Sequence, residues 1–90
     1  VRDERGIREI FVDGLVAGAV QQINDAATRK AWLDGTRDLR FDELAMDSLA
    51  RMELCIAIEI GTGVSMAPEE LGRYASLGEL AAAVRERIDA

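Results

Sequence analysis

Ninety residues, 49% apolar and 31% charged, can fill one small core and no second one, so a single domain spanning residues 1–90 is expected. A net charge of −6 excludes nucleic-acid binding, which needs clustered Lys and Arg. The lone Cys55 excludes an internal disulfide or a zinc site and fits a reducing cytoplasm, and neither a signal peptide nor a membrane-length apolar run is present.

Aromatic residues supply only 4% of the chain, so the core is aliphatic. Its apolar residues recur at three and four positions, which predicts an all-α fold. The first helix is expected over residues 3–23, with Ile7, Ile10, Phe11, Leu15, Val16, Ala19 and Ile23 in one stripe. Gly14 and Gly18 share a face, and each weakens a helix by roughly 1 kcal/mol relative to Ala. Close approach of a second helix would compensate. Asn24-Asp25 reads as a break with a cap, followed by a short helical piece through Leu33 that ends near Gly35. Trp32 and Leu33 are expected to cover one end of the core.

A loop over residues 34–46 follows, pinned by Leu39, Phe41, Leu44 and Met46; at about 13 residues it is long enough to suggest a functional role. The second main helix is predicted from Ser48 to Ile60, ended by Gly61-Thr62-Gly63. Pro68 suits the first position of a short helix reaching Arg73. Ser76-Leu77-Gly78-Glu79 forms a capping box for a last helix that continues to about Ile88.

Charge is unevenly spread. Residues 42–70 hold seven acidic side chains against Arg51 alone, whereas both flanking segments are balanced. That field steers basic partner surfaces or aids solubility. On a helical wheel, Leu49, Met52, Ile56 and Ile60 form an apolar stripe flanked by Glu53 and Glu59. Ala50, Leu54, Ala57 and Ile58 form a second stripe. A surface helix in a small bundle needs one apolar face, so the glutamate-bracketed stripe is a candidate for partner docking.

All three serines, Ser48, Ser65 and Ser76, lie near predicted helix starts, where a serine is usually an N-cap. At Ser48, Asp47 can take the cap and leave the hydroxyl facing solvent, at a helix end that carries positive partial charge. Independent catalysis is not expected. The chain has no histidine and one lysine, Lys30, so no base is placed to activate the serine. Gly61-Thr62-Gly63 lacks the ending of a phosphate loop, and the acidic residues lack metal-loop spacing. Ser48 reads as a group acted upon.

The run Phe41-Asp-Glu-Leu-Ala-Met-Asp47-Ser48-Leu49, continuing Ala-Arg-Met52-Glu53-Leu54, resembles the acyl carrier proteins. Gly63-Val64, Pro68-Glu69-Glu70-Leu71 and Ser76-Leu77-Gly78-Glu79-Leu80 follow where that family has its third and fourth helices. The resemblance covers residues 41–84. It implies a four-helix bundle with a short third helix and a long loop between the first two main helices.

It also implies that Ser48 carries a covalent 4′-phosphopantetheine, making the chain a phosphoprotein, with Asp47 part of the transferase's recognition motif. Leu49, Met52, Glu53 and Ile56 match the family's docking face, to which the wheel adds Glu59. The implied partners are a phosphopantetheinyl transferase, an acyl-loading ligase or acyltransferase, and a ketosynthase or other thioester-processing enzymes. The chain itself would be a monomeric, cytoplasmic, non-enzymatic carrier without metal.

Three features depart from the family pattern. Ala45 stands where Gly is frequent, which argues against a left-handed turn there. Arg51 interrupts an otherwise acidic helix, and the Asp25–Leu33 piece is additional. Together they point to polyketide or related specialised metabolism. Aminoacyl, peptidyl or fatty-acid cargo, and a non-covalent helical interaction module, are the alternatives.

Overall fold

The computed structural model describes residues 3–89. Among these residues five α-helices and two 3-10 helices follow one another as α1 (Glu4–Ala17), η1 (Gln21–Asn24), α2 (Ala26–Asp34), α3 (Phe41–Leu44), α4 (Ser48–Thr62), η2 (Pro68–Arg73) and α5 (Leu77–Asp89). Among the described residues the fold is all-α, and the one β-type contact is an isolated bridge between Arg40 and Ser76. No helix among them is long and apolar enough to cross a membrane.

Helix α1 begins where the Asp3 carboxylate accepts from the Gly6 N–H. It stops six residues earlier than its apolar spacing predicts. Ala19 takes a positive φ of 58°, and the Ala19 and Val20 N–H groups bond back to the Val16 and Leu15 carbonyls at 3.0 Å each. These two bonds make a Schellman ending, with alanine in the position usually held by glycine. The break redirects the chain, so Ile23 still reaches the core from η1 while Val16 and Ala19 face solvent. Both were expected in the stripe. The turn at Ala19 moves them out of it.

The close approach predicted by Gly14 and Gly18 is present between α1 and α4. A Cβ on Gly14 would lie 2.9 Å from the Leu54 Cα, and one on Gly18 would lie 2.7 Å from the Ala50 Cα. Helix α2 starts at the Asp25 cap, which accepts from the Thr28 N–H at 2.9 Å, and ends at left-handed Gly35. Trp32 lies deeper than an end cover. It is fully buried and stacks on Phe11 with ring centroids 5.9 Å apart, while Leu33 is only half-buried. The Arg8 guanidinium sits 4.1 Å from the Trp32 ring centre and donates to the Trp32 carbonyl at 2.9 Å. The Trp32 indole N–H returns a bond to the Arg8 carbonyl at 3.0 Å. This reciprocal pair clamps α2 onto α1.

The segment between α2 and α4 contains one helical turn, α3, and is stitched to the start of α5. Leu77 N–H donates to the Leu39 carbonyl at 2.8 Å, Phe41 N–H to the Ala75 carbonyl at 3.1 Å, and Gly78 N–H to the Asp38 carboxylate at 2.8 Å. Leu39 and Leu44 are buried beneath it. The chain thus arrives at Asp47 on a fixed course, although the approach has little regular structure.

Candidate functional site

The site is built around the start of α4. Leu44 anchors the preceding turn in the core, and Gln22 reaches from η1 to donate to the Glu43 carbonyl at 2.9 Å. Ala45 is then left-handed, with φ 48° and ψ 46°. The lack of glycine argued against such a turn, and the structure overturns that expectation. A Cβ in this region costs about 1–2 kcal/mol, which buried Leu44 and the Arg40–Glu43 bond at 2.9 Å are placed to offset.

Asp47 takes the cap. Its carboxylate accepts from the Ala50 N–H at 2.8 Å, in the ordinary geometry of an N-cap aspartate. Ser48 is therefore the first residue of α4 and has no capping duty. It is exposed, and its hydroxyl makes no hydrogen bond among the described residues. The other two serines differ. Ser76 is buried and accepts from the Glu79 N–H at 3.2 Å, while Ser65 is exposed in the connection between α4 and η2.

Along α4 the two predicted stripes separate cleanly. Ala50, Leu54 and Ile58 are buried, joined by Cys55, and Ala57 is half-buried. Burial pushes the Cys55 thiol up, with Glu70 and Glu69 adding to the effect, which disfavours the thiolate. Leu49, Met52, Ile56 and Ile60 remain 57%, 49%, 43% and 82% exposed, forming a continuous apolar strip on a helix otherwise well packed. Glu53 is half-buried and Glu59 exposed beside this strip.

The acidic excess is sharper in space than in sequence. Asp42 pairs with Arg40 at 2.8 Å, Glu43 with Arg37 at 3.5 Å and Glu70 with Arg87 at 2.9 Å. Asp47, Glu53, Glu59 and Glu69 have no ion-pair partner among the described residues. These four surround Ser48 and the apolar strip. Their field is left open to an incoming basic surface.

A wide groove of about 510 Å³ opens at Ser48 and is lined by Met46, Ser48, Arg51, Met52, Pro68 and Glu69. Pro68 and Glu69 were not foreseen as site residues. They come from η2, some twenty residues on, and no local pattern announces that contact. Among the described residues no group of three or more His, Cys, Asp or Glu side chains is placed to hold a metal ion.

The arrangement has an accessible hydroxyl, no histidine or lysine lining its groove, and an anionic, partly apolar helix face leading away from it. Such a serine is suited to being modified by another protein. Residues 29–84 match the family model described as the phosphopantetheine attachment site. No curated protein and no solved structure matches the chain.

Proposed function

Since the chain belongs to the family of phosphopantetheine-binding carriers of the acyl carrier type, we propose that Ser48 is the attachment residue and that α4 presents the loaded arm to partner enzymes. The observation that carries this is the exposed, unbonded Ser48 hydroxyl beside a cap supplied by Asp47. The prosthetic group fits here. The hydroxyl is reachable, and the groove beyond it is open and walled by Met46, Met52 and Pro68. When bound, the group supplies a terminal thiol that holds acyl cargo as a thioester.

This chain's own residues do three things in that scheme. The Asp47 cap fixes the first turn of α4, so the Ser48 hydroxyl is held outward for a phosphopantetheinyl transferase using coenzyme A. Leu49, Met52 and Ile56 supply exposed apolar contact area, and Glu53 and Glu59 orient a basic partner surface against it. The absence of histidine throughout the chain leaves chemistry at the thioester to the partners. The protein is thus a substrate of its partner enzymes.

Docking energetics suit a shuttle. Covering the remaining exposed half of three or four strip side chains gains roughly 1 kcal/mol each, and association costs remove much of it. The complexes are small and short-lived, which a carrier needs in order to move on.

The cargo in this reading is an acyl group of polyketide-type specialised metabolism, handed on by an acyltransferase or ligase and a ketosynthase. Arg51 within α4 and the additional α2 support that reading. Ala45 no longer contributes, because it adopts the left-handed turn despite its side chain. The work is placed in the cytoplasm, in keeping with a single buried thiol.

Intact-mass measurement after incubation with coenzyme A and a broad-specificity transferase tests the carrier reading. Wild type is expected to gain one phosphopantetheine and Ser48→Ala none; an unchanged wild-type mass would refute it. If Ser48→Ala left partner binding and pathway function intact while Met52→Glu abolished both, a non-covalent interaction module would replace it.

A further inference from the structure

Arg51 is the one basic side chain among residues 42–70, yet it forms no ion pair among the described residues. Carboxylates are at hand on both sides. Asp47, one turn back, is engaged with the Ala50 N–H, and Glu69 lines the same groove without pairing with it. Arg51 is exposed and follows Ser48 by three positions, a spacing that puts two helical residues about 5–6 Å apart at Cβ. Both residues line the groove that continues past Met52 to Pro68. Five guanidinium N–H donors therefore stand open where the groove leaves the serine.

We propose that Arg51 is the positioning residue for the prosthetic arm: its guanidinium pairs with the phosphodiester on Ser48 and lays the arm into the groove over Met52 and Pro68. This rests on the carrier reading and adds to it a direction for the arm. A phosphodiester at Ser48 adds negative charge beside Asp47 and Glu69, so a nearby cation is the group best placed to accommodate it. Arginine suits the role, because its planar fork matches two phosphate oxygens at once, whereas lysine offers a point charge. The apolar walls then receive the methyl-bearing part of the arm, next to the phosphate.

The test uses isotope-labelled protein loaded with an unlabelled arm, with loading verified by intact mass. In wild type, isotope-filtered nuclear Overhauser contacts are expected from the arm's geminal methyl groups to the Met52 methyl and the Pro68 ring. In Arg51→Gln they should fall at least several-fold, and in Arg51→Lys they should be partly retained. About 1 M salt, where the screening length shrinks to about 3 Å, should weaken the wild-type contacts. Backbone amide shifts report that the variant helices are intact.

Equal contacts in wild type and Arg51→Gln, or none in loaded wild type, would overturn the assignment while leaving the carrier reading in place. Slower loading of Arg51→Gln with unchanged contacts would also overturn it, since Arg51 would then address the transferase. A wild type that never loads would instead remove the carrier reading, and this assignment with it.

Discussion

At the start of α5 Ser76 is 6% exposed and its hydroxyl accepts from the Glu79 N–H, while Asp38 and Leu39 take the N–H groups of Gly78 and Leu77. At the start of α4 a single aspartate, Asp47, bonds the Ala50 N–H, and the adjacent Ser48 is left outside with no bond of its own. Both helices begin beside a serine. In one the hydroxyl completes the structure; in the other a neighbour has relieved it of that task. The same division runs along the helices, since α5 turns Leu77, Leu80 and Val84 inward, whereas α4 also keeps an apolar strip on its outer side.

The largest expected effect comes from breaking the inward side of α4. Leu54 is fully buried against α1, so Leu54→Ala should cost about 2–5 kcal/mol in denaturant unfolding. Leu49→Ala, on the outer side and 57% exposed, should change stability by less than about 0.5 kcal/mol. It should nevertheless weaken partner binding. Similar stability losses for the two would erase the distinction between a packed face and an open one.

The two caps should come next. Asp47→Ala and Ser76→Ala each remove one cap and should each cost about 1 kcal/mol. Their effects on loading should differ, however. Ser76→Ala should be modified as fast as wild type, whereas Asp47→Ala should be modified more slowly. Asp47→Asn, which keeps the cap, separates its structural part from any need for the carboxylate. The measurement is the rate of mass gain set against chemical denaturation.

The smallest effect concerns acid. The Arg87 guanidinium, aided by the Ala67 N–H, holds the Glu70 carboxyl below the usual carboxylate range, and the pair ties η2 to α5. A carboxyl depressed in the folded state adds stability above its unfolded value, and that contribution disappears as pH falls through the depressed folded value. Glu70→Gln should therefore be slightly less stable than wild type near neutrality, and the gap should close in acid. A constant gap across that range would mean that the pair contributes by shape alone. The exposed end of this pair keeps the effect below that of the caps.

Features decided within a turn or two were legible in the sequence: the capping residues Asp25, Asp47 and Ser76, the stop near Gly35, and the two faces of α4. Each follows from hydrogen-bonding capacity or helical period over a few positions. Val16 and the end of α1 were missed because alanine, not glycine, adopts the left-handed turn at position 19, so no sequence signal marks it. Ala45 misled for the same reason. Its turn is imposed by Leu44 in the core and by Arg40 and Glu43, a context that intrinsic preference does not see. The stitching of residues 38–41 to the start of α5, and the arrival of Pro68 and Glu69 at the groove, join parts of the chain far apart in sequence. Only packing brings them together.

The most direct measurement is proteolysis of the transferase-treated protein followed by tandem mass spectrometry of its serine-containing peptides. The expected result is phosphopantetheine on Ser48 alone, with Ser65 and Ser76 unmodified. The group on either of those serines, or on none, would contradict the assignment of the free hydroxyl at α4.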